Sequence, residues 1–99
     1  MTEFEIHAID NGVVKIEGVL DLNTVNSMKK QTISLFAGLS EIQFDLSAVS
    51  RSNSAALALL LEWLKMAQKN QISLSFSNFP EHLRQLARVY GIEQELNII

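Results

Sequence analysis

Phe4, Ile6 and Ala8 alternate with Glu5 and His7; after Asp10-Asn11-Gly12, Val14, Ile16 and Leu20 alternate with Lys15 and Glu17. A period of two is that of a half-buried strand, so this stretch predicts a β-hairpin. A two-residue Asn-Gly loop would set Ala8 against Lys15 and mix the two faces. A three-residue loop, with Gly12 left-handed and a bulge, sets Ala8 against Val14 and Ile6 against Ile16. A slip of one residue flips every side chain, so the second arrangement is the expected one.

The spacing then turns helical. In "LNTVNSMKKQTISLFAGLS" Asn23 or Thr24 can cap a helix. Val25, Met28, Ile33 (with Thr32), Leu35 and Phe36 supply its apolar stripe, and Gly38 ends it. "EIQFDLS" predicts a third strand, with Ile42, Phe44 and Leu46 on one face and Gln43, Asp45 and Ser47 on the other. A serine-rich turn leads into a long helix from about Asn53 to Asn70. Ile72, Leu74 and Phe76 alternate with Ser73, Ser75 and Ser77 in a fourth strand. Pro80 suits the first turn of a last helix that buries Leu83, Leu86, Ala87 and Tyr90 and stops at Gly91. "IEQELNII" reads as a terminal turn or short helix.

The order β-β-α-β-α-β-α predicts an α/β fold of one domain, residues 1–99. Crossovers that each carry a helix imply parallel pairing, right-handed, of strands two, three and four. The result is a mixed four-stranded sheet in the order 1-2-3-4, an N-terminal hairpin followed by parallel strands. Each strand keeps a polar side, whereas a sheet covered on both faces reads as continuous apolar runs. Helices are therefore expected mainly on one face, with the other open.

Composition narrows the function. A chain of 99 residues supports one core and little room for a deep enclosed site. A net charge of −3 with scattered Lys and Arg speaks against nucleic acid, which requires a positive stripe. With no cysteine there is no disulfide frame and no thiolate metal site, which fits a cytoplasmic protein. "MTEFEIHAID" lacks the apolar stretch of a signal peptide, and the apolar run Ala55 to Leu61 is too short to span a bilayer. No direct membrane insertion is expected.

On the long helix, at 100° per residue, Leu57, Leu60, Leu64 and Ala67 form the core side, flanked by Ala56, Leu61 and Trp63. Glu62, Lys65 and Lys69 lie opposite. The same outer stripe, followed towards the N-terminus, reaches Ala58 and Ala55, with Leu59 and Met66 at its edge. Alanine is a good helix former at exposed sites; equally, small side chains let another protein approach closely.

Ser54 stands where this helix begins. It reads as part of the helix cap, with Ser52 or Asn53 as N-cap. It also reads as a phosphorylation site, since a helix N-terminus stabilises negative charge and Arg51 can help hold an anion. Nucleophilic catalysis is disfavoured. A serine nucleophile needs a base, neither His7 nor His82 has a motif relation to Ser54, and the G-x-S-x-G elbow is absent. Two isolated histidines make no metal site, Asp45 is a lone carboxylate, and no cofactor motif is present. No enzyme activity is expected.

The order of elements and the segment "FDLSAVSRSNSAALALLLEWLKMA" together resemble a STAS domain. In that family a strand ends in an Asp-Leu-Ser-like segment, followed by a short loop, an acidic residue, a functional hydroxyl and a leucine-rich helix. The hydroxyl aligns with Ser54. Asn53 stands in place of the acidic residue, and Ala55-Ala56 in place of the usual glycine pair or Ser-Gly. "DLSAVSR" and "LARVYGI" are most similar to the MlaB-type branch of the family.

The resemblance implies a non-enzymatic subunit of a phospholipid-transporting ABC complex concerned with outer-membrane lipid asymmetry. Such a subunit binds the ATPase subunit (MlaF-like), in a complex with a permease and a substrate-binding protein. It is cytoplasmic and peripheral to the inner membrane through that partner. Ser54 would lie at the contact, with Arg51, Ser52 and Asn53 before it. Ala55, Ala58, Leu59, Glu62 and Met66 would continue the contact along the helix, and Arg88 and Tyr90 would join from the last helix. The alternative within the family is an anti-sigma factor antagonist regulated by phosphorylation of Ser54.

Overall fold

The computed structural model describes residues 3–99. Four strands, β1 (Phe4–Asp10), β2 (Val13–Leu20), β3 (Glu41–Ser52) and β4 (Ser73–Ser77), form one sheet in the order β1-β2-β3-β4. β1 and β2 are antiparallel, and β2–β3 and β3–β4 are parallel, as the alternation and the crossovers require. The helices are α1 (Val25–Thr32), α2 (Leu35–Gly38), α3 (Ser54–Lys69) and α4 (Glu81–Val89), with a 3-10 turn at Glu93–Glu95.

The hairpin register is the expected one: Ala8 pairs with Val14 and Ile6 with Ile16. Its closure differs. The loop is the two residues Asn11-Gly12, both at positive φ (50° and 84°), and the extra residue is Ile9, between Ala8 and Asp10. Two positive-φ residues match the twist of the flanking strands, and the bulge restores the apolar register that a plain two-residue loop would spoil.

The core lies between the sheet and the helices. Val14, Ile16, Ile42, Phe44, Leu46, Leu74 and Phe76 are buried from the strands, and Met28, Phe36, Leu57, Leu60, Trp63, Leu83 and Ala87 from the helices. Phe44 stacks on Trp63 with ring centroids 4.0 Å apart and faces Phe76 at 6.1 Å. On the other face Glu5, His7, Glu17, Ser47 and Ser73 are exposed, so that face is open, as expected.

Four expectations are corrected. The single helix expected between an Asn23 or Thr24 cap and Gly38 divides after Thr32: Ile33 and Ser34 keep helical φ/ψ, but the hydrogen bonds tighten to three-residue spacing, Phe36 N–H to the Ile33 carbonyl at 3.1 Å and Ala37 N–H to the Ser34 carbonyl at 3.3 Å. The serine-rich segment 48–52 is strand, not turn; it pairs with β2 alone, because β4 ends at the Asp45–Ser77 pair. A singly paired strand end tolerates a polar sequence, and the connection into α3 shrinks to Asn53. Tyr90 is 58% exposed rather than buried, since α4 ends at Val89 and Tyr90 is its C-cap. Pro80 is the extended N-cap of α4, not its first residue. The C-terminal segment also does more than turn: Ile98 forms a parallel bridge to Phe76 on the free edge of β4.

Candidate functional site

α3 starts directly off the end of β3. The Asn53 backbone N–H donates to the Leu20 carbonyl at 3.3 Å, tying the junction to the end of β2. Asn53 is the N-cap: its Oδ1 accepts from the Ala55 N–H at 2.9 Å. An amide oxygen is a good acceptor for these free helix donors. Capping is therefore the task of Asn53, and Ser54 is the first helical residue, with its side chain exposed.

Parallel strands followed by helices bring several elements to this end of the sheet. The ends of β2 and β3 and the starts of α1, α3 and α4 all lie here. His82, in the first turn of α4, donates from Nε2 to the Ser52 carbonyl at 2.9 Å. Val49, Ser50, Arg51 and Ser52 border a cleft of about 310 Å³ closed by Pro80 and His82.

The expected contact residues divide into three groups. Arg51 near the end of β3, the cap Asn53, and Ser54 and Ala58 of α3 are exposed, and Ala55, Glu62 and Met66 of α3 are half-buried. Ser52 and Leu59 are buried, at 8% and 3% exposure. Leu59 is thus removed from the accessible surface. It lies one turn before Trp63, on the flank of α3 that α1 covers, and a wheel drawn for one helix cannot see a neighbouring helix. Arg88 and Tyr90 are exposed but sit at the far end of α4, and Arg88 is held by Glu93 at 3.2 Å and Glu81 at 3.7 Å. The fold does not bring them beside Ser54.

α1 and α3 run side by side in the same direction. Lys29 Nζ meets Glu62 Oε2 at 3.3 Å, and Trp63 Nε1 donates to Thr32 Oγ1 at 2.8 Å. Ahead of α1, the turn after β2 holds Leu22 at 79% exposure. Sequence reading passed over Leu22; its only signal is an apolar residue between the turn formers Asp21 and Asn23.

The open sheet face holds two further groups. Asp45 Oδ1 accepts from Asn78 Nδ2 and from the Ser47 N–H, each at 2.9 Å. The Asn78 bond, opposed by partial desolvation and assisted by Ser47 and by the charge of Lys15, holds the Asp45 carboxyl below its ordinary value. Glu5, His7 and Glu17 place their ligand atoms within 4.8 Å of one another, all exposed, with His7 paired to Glu5 at 3.2 Å. No helix among the described residues is long and apolar enough to cross a membrane.

A family model described as Mlab, STAS domain, matches residues 7–99. No curated protein matches the sequence. Several solved structures share the fold. Unphosphorylated SpoIIAA, an anti-sigma factor antagonist, superposes with a TM-score of 0.75 at 15% identity, covering 97% of this chain and 87% of that one. An anti-sigma factor antagonist from Mycobacterium paratuberculosis gives 0.74 at 17%, over 96% and 82%. A STAS-domain protein from Planctomyces limnophilus gives 0.76 at 15%, over 100% and 90%. At such identities the likeness is one of fold.

Proposed function

The chain belongs to the STAS-domain family, and we propose from that premise that it is a non-enzymatic subunit of a phospholipid-transporting ABC complex of the Mla type. It binds the ATPase subunit and supports its assembly or activity, beside a permease and a substrate-binding protein. It is cytoplasmic and reaches the inner membrane through that partner. The observation that carries this reading is the match of residues 7–99 to a family model named for MlaB.

The geometry agrees with docking rather than chemistry. Ser54 opens a helix whose outward side carries Ala58 in the open and Ala55 half-buried, so a partner backbone can come close. The histidine nearest this end, His82, spends its Nε2–H on the Ser52 carbonyl. The test is co-purification with a candidate Mla-type ABC ATPase, comparing wild type with Ser54→Arg. Retention of wild type and loss of the variant is expected; a complex indifferent to a bulky cation at Ser54 rules out this surface.

The fold likeness to SpoIIAA, found in its unphosphorylated and phosphorylated forms, favours a second reading. In it Ser54 is phosphorylated and the chain acts as an anti-sigma factor antagonist. Asn53 weighs against this, because the family's phosphorylation motif has a carboxylate there and this chain has a neutral cap. A stoichiometric phosphate on Ser54 in the intact mass of the native protein is the result that would favour it.

A further inference from the structure

We infer that the outer edge of β4 is a self-association surface, fitted to β4 of a second copy of this chain, and that residues 96–99 guard it. The inference stands apart from the docking role of Ser54 and requires no ATPase.

The two edges of the sheet are built differently. β1 carries Glu5, His7 and Asp10 and the bulge at Ile9. Charges and bulges of this kind keep an exposed strand edge from pairing with another chain. β4 has no such charge. Residues 72–77 read Ile-Ser-Leu-Ser-Phe-Ser, without a charged residue or a proline. Leu74 and Phe76 are buried in the core, and the serines alternate with them. Short, neutral, alternating segments pair readily with copies of themselves.

The chain after the 3-10 turn covers that edge. The Phe76 N–H donates to the Asn97 carbonyl at 2.8 Å, and the Ile99 N–H donates to the Phe76 carbonyl at 2.9 Å. Asn97 Nδ2 donates to the Leu74 carbonyl at 2.9 Å. Backbone groups alternate in direction along a strand, so Leu74 and Phe76 are the residues of β4 that point their N–H and carbonyl away from β3. Asn97 and Ile99 take both outward groups of Phe76 and the outward carbonyl of Leu74. Leu96, 3% exposed, pins the segment to the core, whereas the Ile99 side chain is 67% exposed. What the end of the segment contributes is therefore its backbone bond.

A second copy fits the same groups. In an antiparallel pair centred on Ser75, Leu74 of each chain lies opposite Phe76 of the other. Each such pair exchanges two N–H···O bonds, so the outward groups of both residues are satisfied symmetrically about a two-fold axis. No like charges oppose one another across this pair. Residues 96–99 prevail because they are tethered. A tethered competitor acts at an effective concentration of roughly millimolar, far above that of a second copy in dilute solution.

The experiment measures the mass of the full chain in solution, by light scattering after size exclusion, at micromolar and near-millimolar concentrations. Asn97→Ala combined with Ile99→Pro removes two of the three edge bonds and leaves Leu96 in place. Wild type is expected at the mass of one chain throughout, and the double variant at the mass of two when concentrated. The Phe76 amide of the double variant should exchange with solvent at least about ten-fold faster than in wild type. Adding Ser75→Lys sets two ammonium groups face to face on the two-fold axis and should return the protein to one chain. A folded double variant that stays at the mass of one chain overturns the surface. An unchanged Phe76 exchange rate, or a wild type already at the mass of two, overturns the guard. A dimer that survives Ser75→Lys overturns the pairing through β4. If the double variant does not fold, Ile99→Pro alone, which alters one exposed side chain and one N–H, is read by the same outcomes.

Discussion

The Trp63 indole N–H donates to Thr32 Oγ1 at 2.8 Å, and both residues are fully buried. Thr32 Oγ1 in turn reaches the Met28 carbonyl at 2.9 Å and the Lys29 carbonyl at 3.0 Å. A hydroxyl that accepts from one helix and donates within another locks α1 to α3 and satisfies the indole away from water. Thr32→Val keeps the shape but strands a buried N–H, at a cost of about 1–3 kcal/mol. Trp63→Phe at the same time removes the orphan, so the double variant should lose clearly less than the two single losses added together. Urea unfolding of the four proteins measures the coupling; simple additivity would refute it.

Two helices end in the same way with different residues. After α4 the Gly91 and Ile92 N–H groups donate to the Arg88 and Ala87 carbonyls; after α3 the Gln71 and Ile72 N–H groups donate to the Gln68 and Ala67 carbonyls. This pair of bonds needs a left-handed residue, and φ is 72° at Gly91 and 57° at Gln71. Gln71 bears the Cβ strain that Gly91 escapes. Gln71→Gly should therefore raise stability by about 0.5–1 kcal/mol, and Gly91→Ala should lower it by a similar amount. Denaturant midpoints for both variants check the pair of opposite signs.

The parts of the fold legible in the sequence are those where a local pattern and the tertiary environment make the same demand. Ala8 and Val14 had to share a face, so the hairpin register was readable even though the position of the bulge at Ile9 was not. Asn53 and Asn70 bracket a continuous apolar period, and α3 runs from Ser54 to Lys69 between them. What stayed hidden depends on neighbours from elsewhere in the chain. Strand residues 48–52 look like a turn because they pair on one side only. Leu59 looks peripheral on a wheel drawn for one helix, yet in the fold it is 3% exposed. Ser54 was recognisable by its setting, but that the capping oxygen belongs to Asn53 is a matter of geometry.

Asp45 makes stability depend on acid. Its carboxyl is held below the ordinary value of 3.8, first by the Asn78 amide and then by Ser47. A group depressed in the folded state contributes stability above its unfolded pKa and loses it as pH falls through the folded one. Asp45→Asn should therefore be less stable than wild type at neutral pH. The gap should narrow as the pH falls below about 4. Asn78→Ala, which removes the largest cause, should shift the wild-type acid limb the same way. Urea unfolding across the acid range is the measurement, and a gap independent of pH would assign the loss to something other than the charge.

Asn53 and Ser54 are adjacent, yet their substitutions should separate cleanly. Asn53→Ala removes the oxygen that accepts from the Ala55 N–H and should cost about 1 kcal/mol of stability. Ser54→Asp puts a carboxylate at the first residue of α3, where the helix dipole and free N–H groups favour negative charge. Folding stability should hold or rise by up to about 1 kcal/mol. If Ser54 lies on a docking surface, the same variant should bind the ATPase differently from wild type while being no less stable. Asn53→Ala should retain binding at temperatures well below its melting point. Thermal melts paired with affinity measurements distinguish the two effects. A Ser54→Asp variant that loses stability and keeps full binding would reverse the assignment, making Ser54 the structural residue and leaving the docking surface to be sought elsewhere.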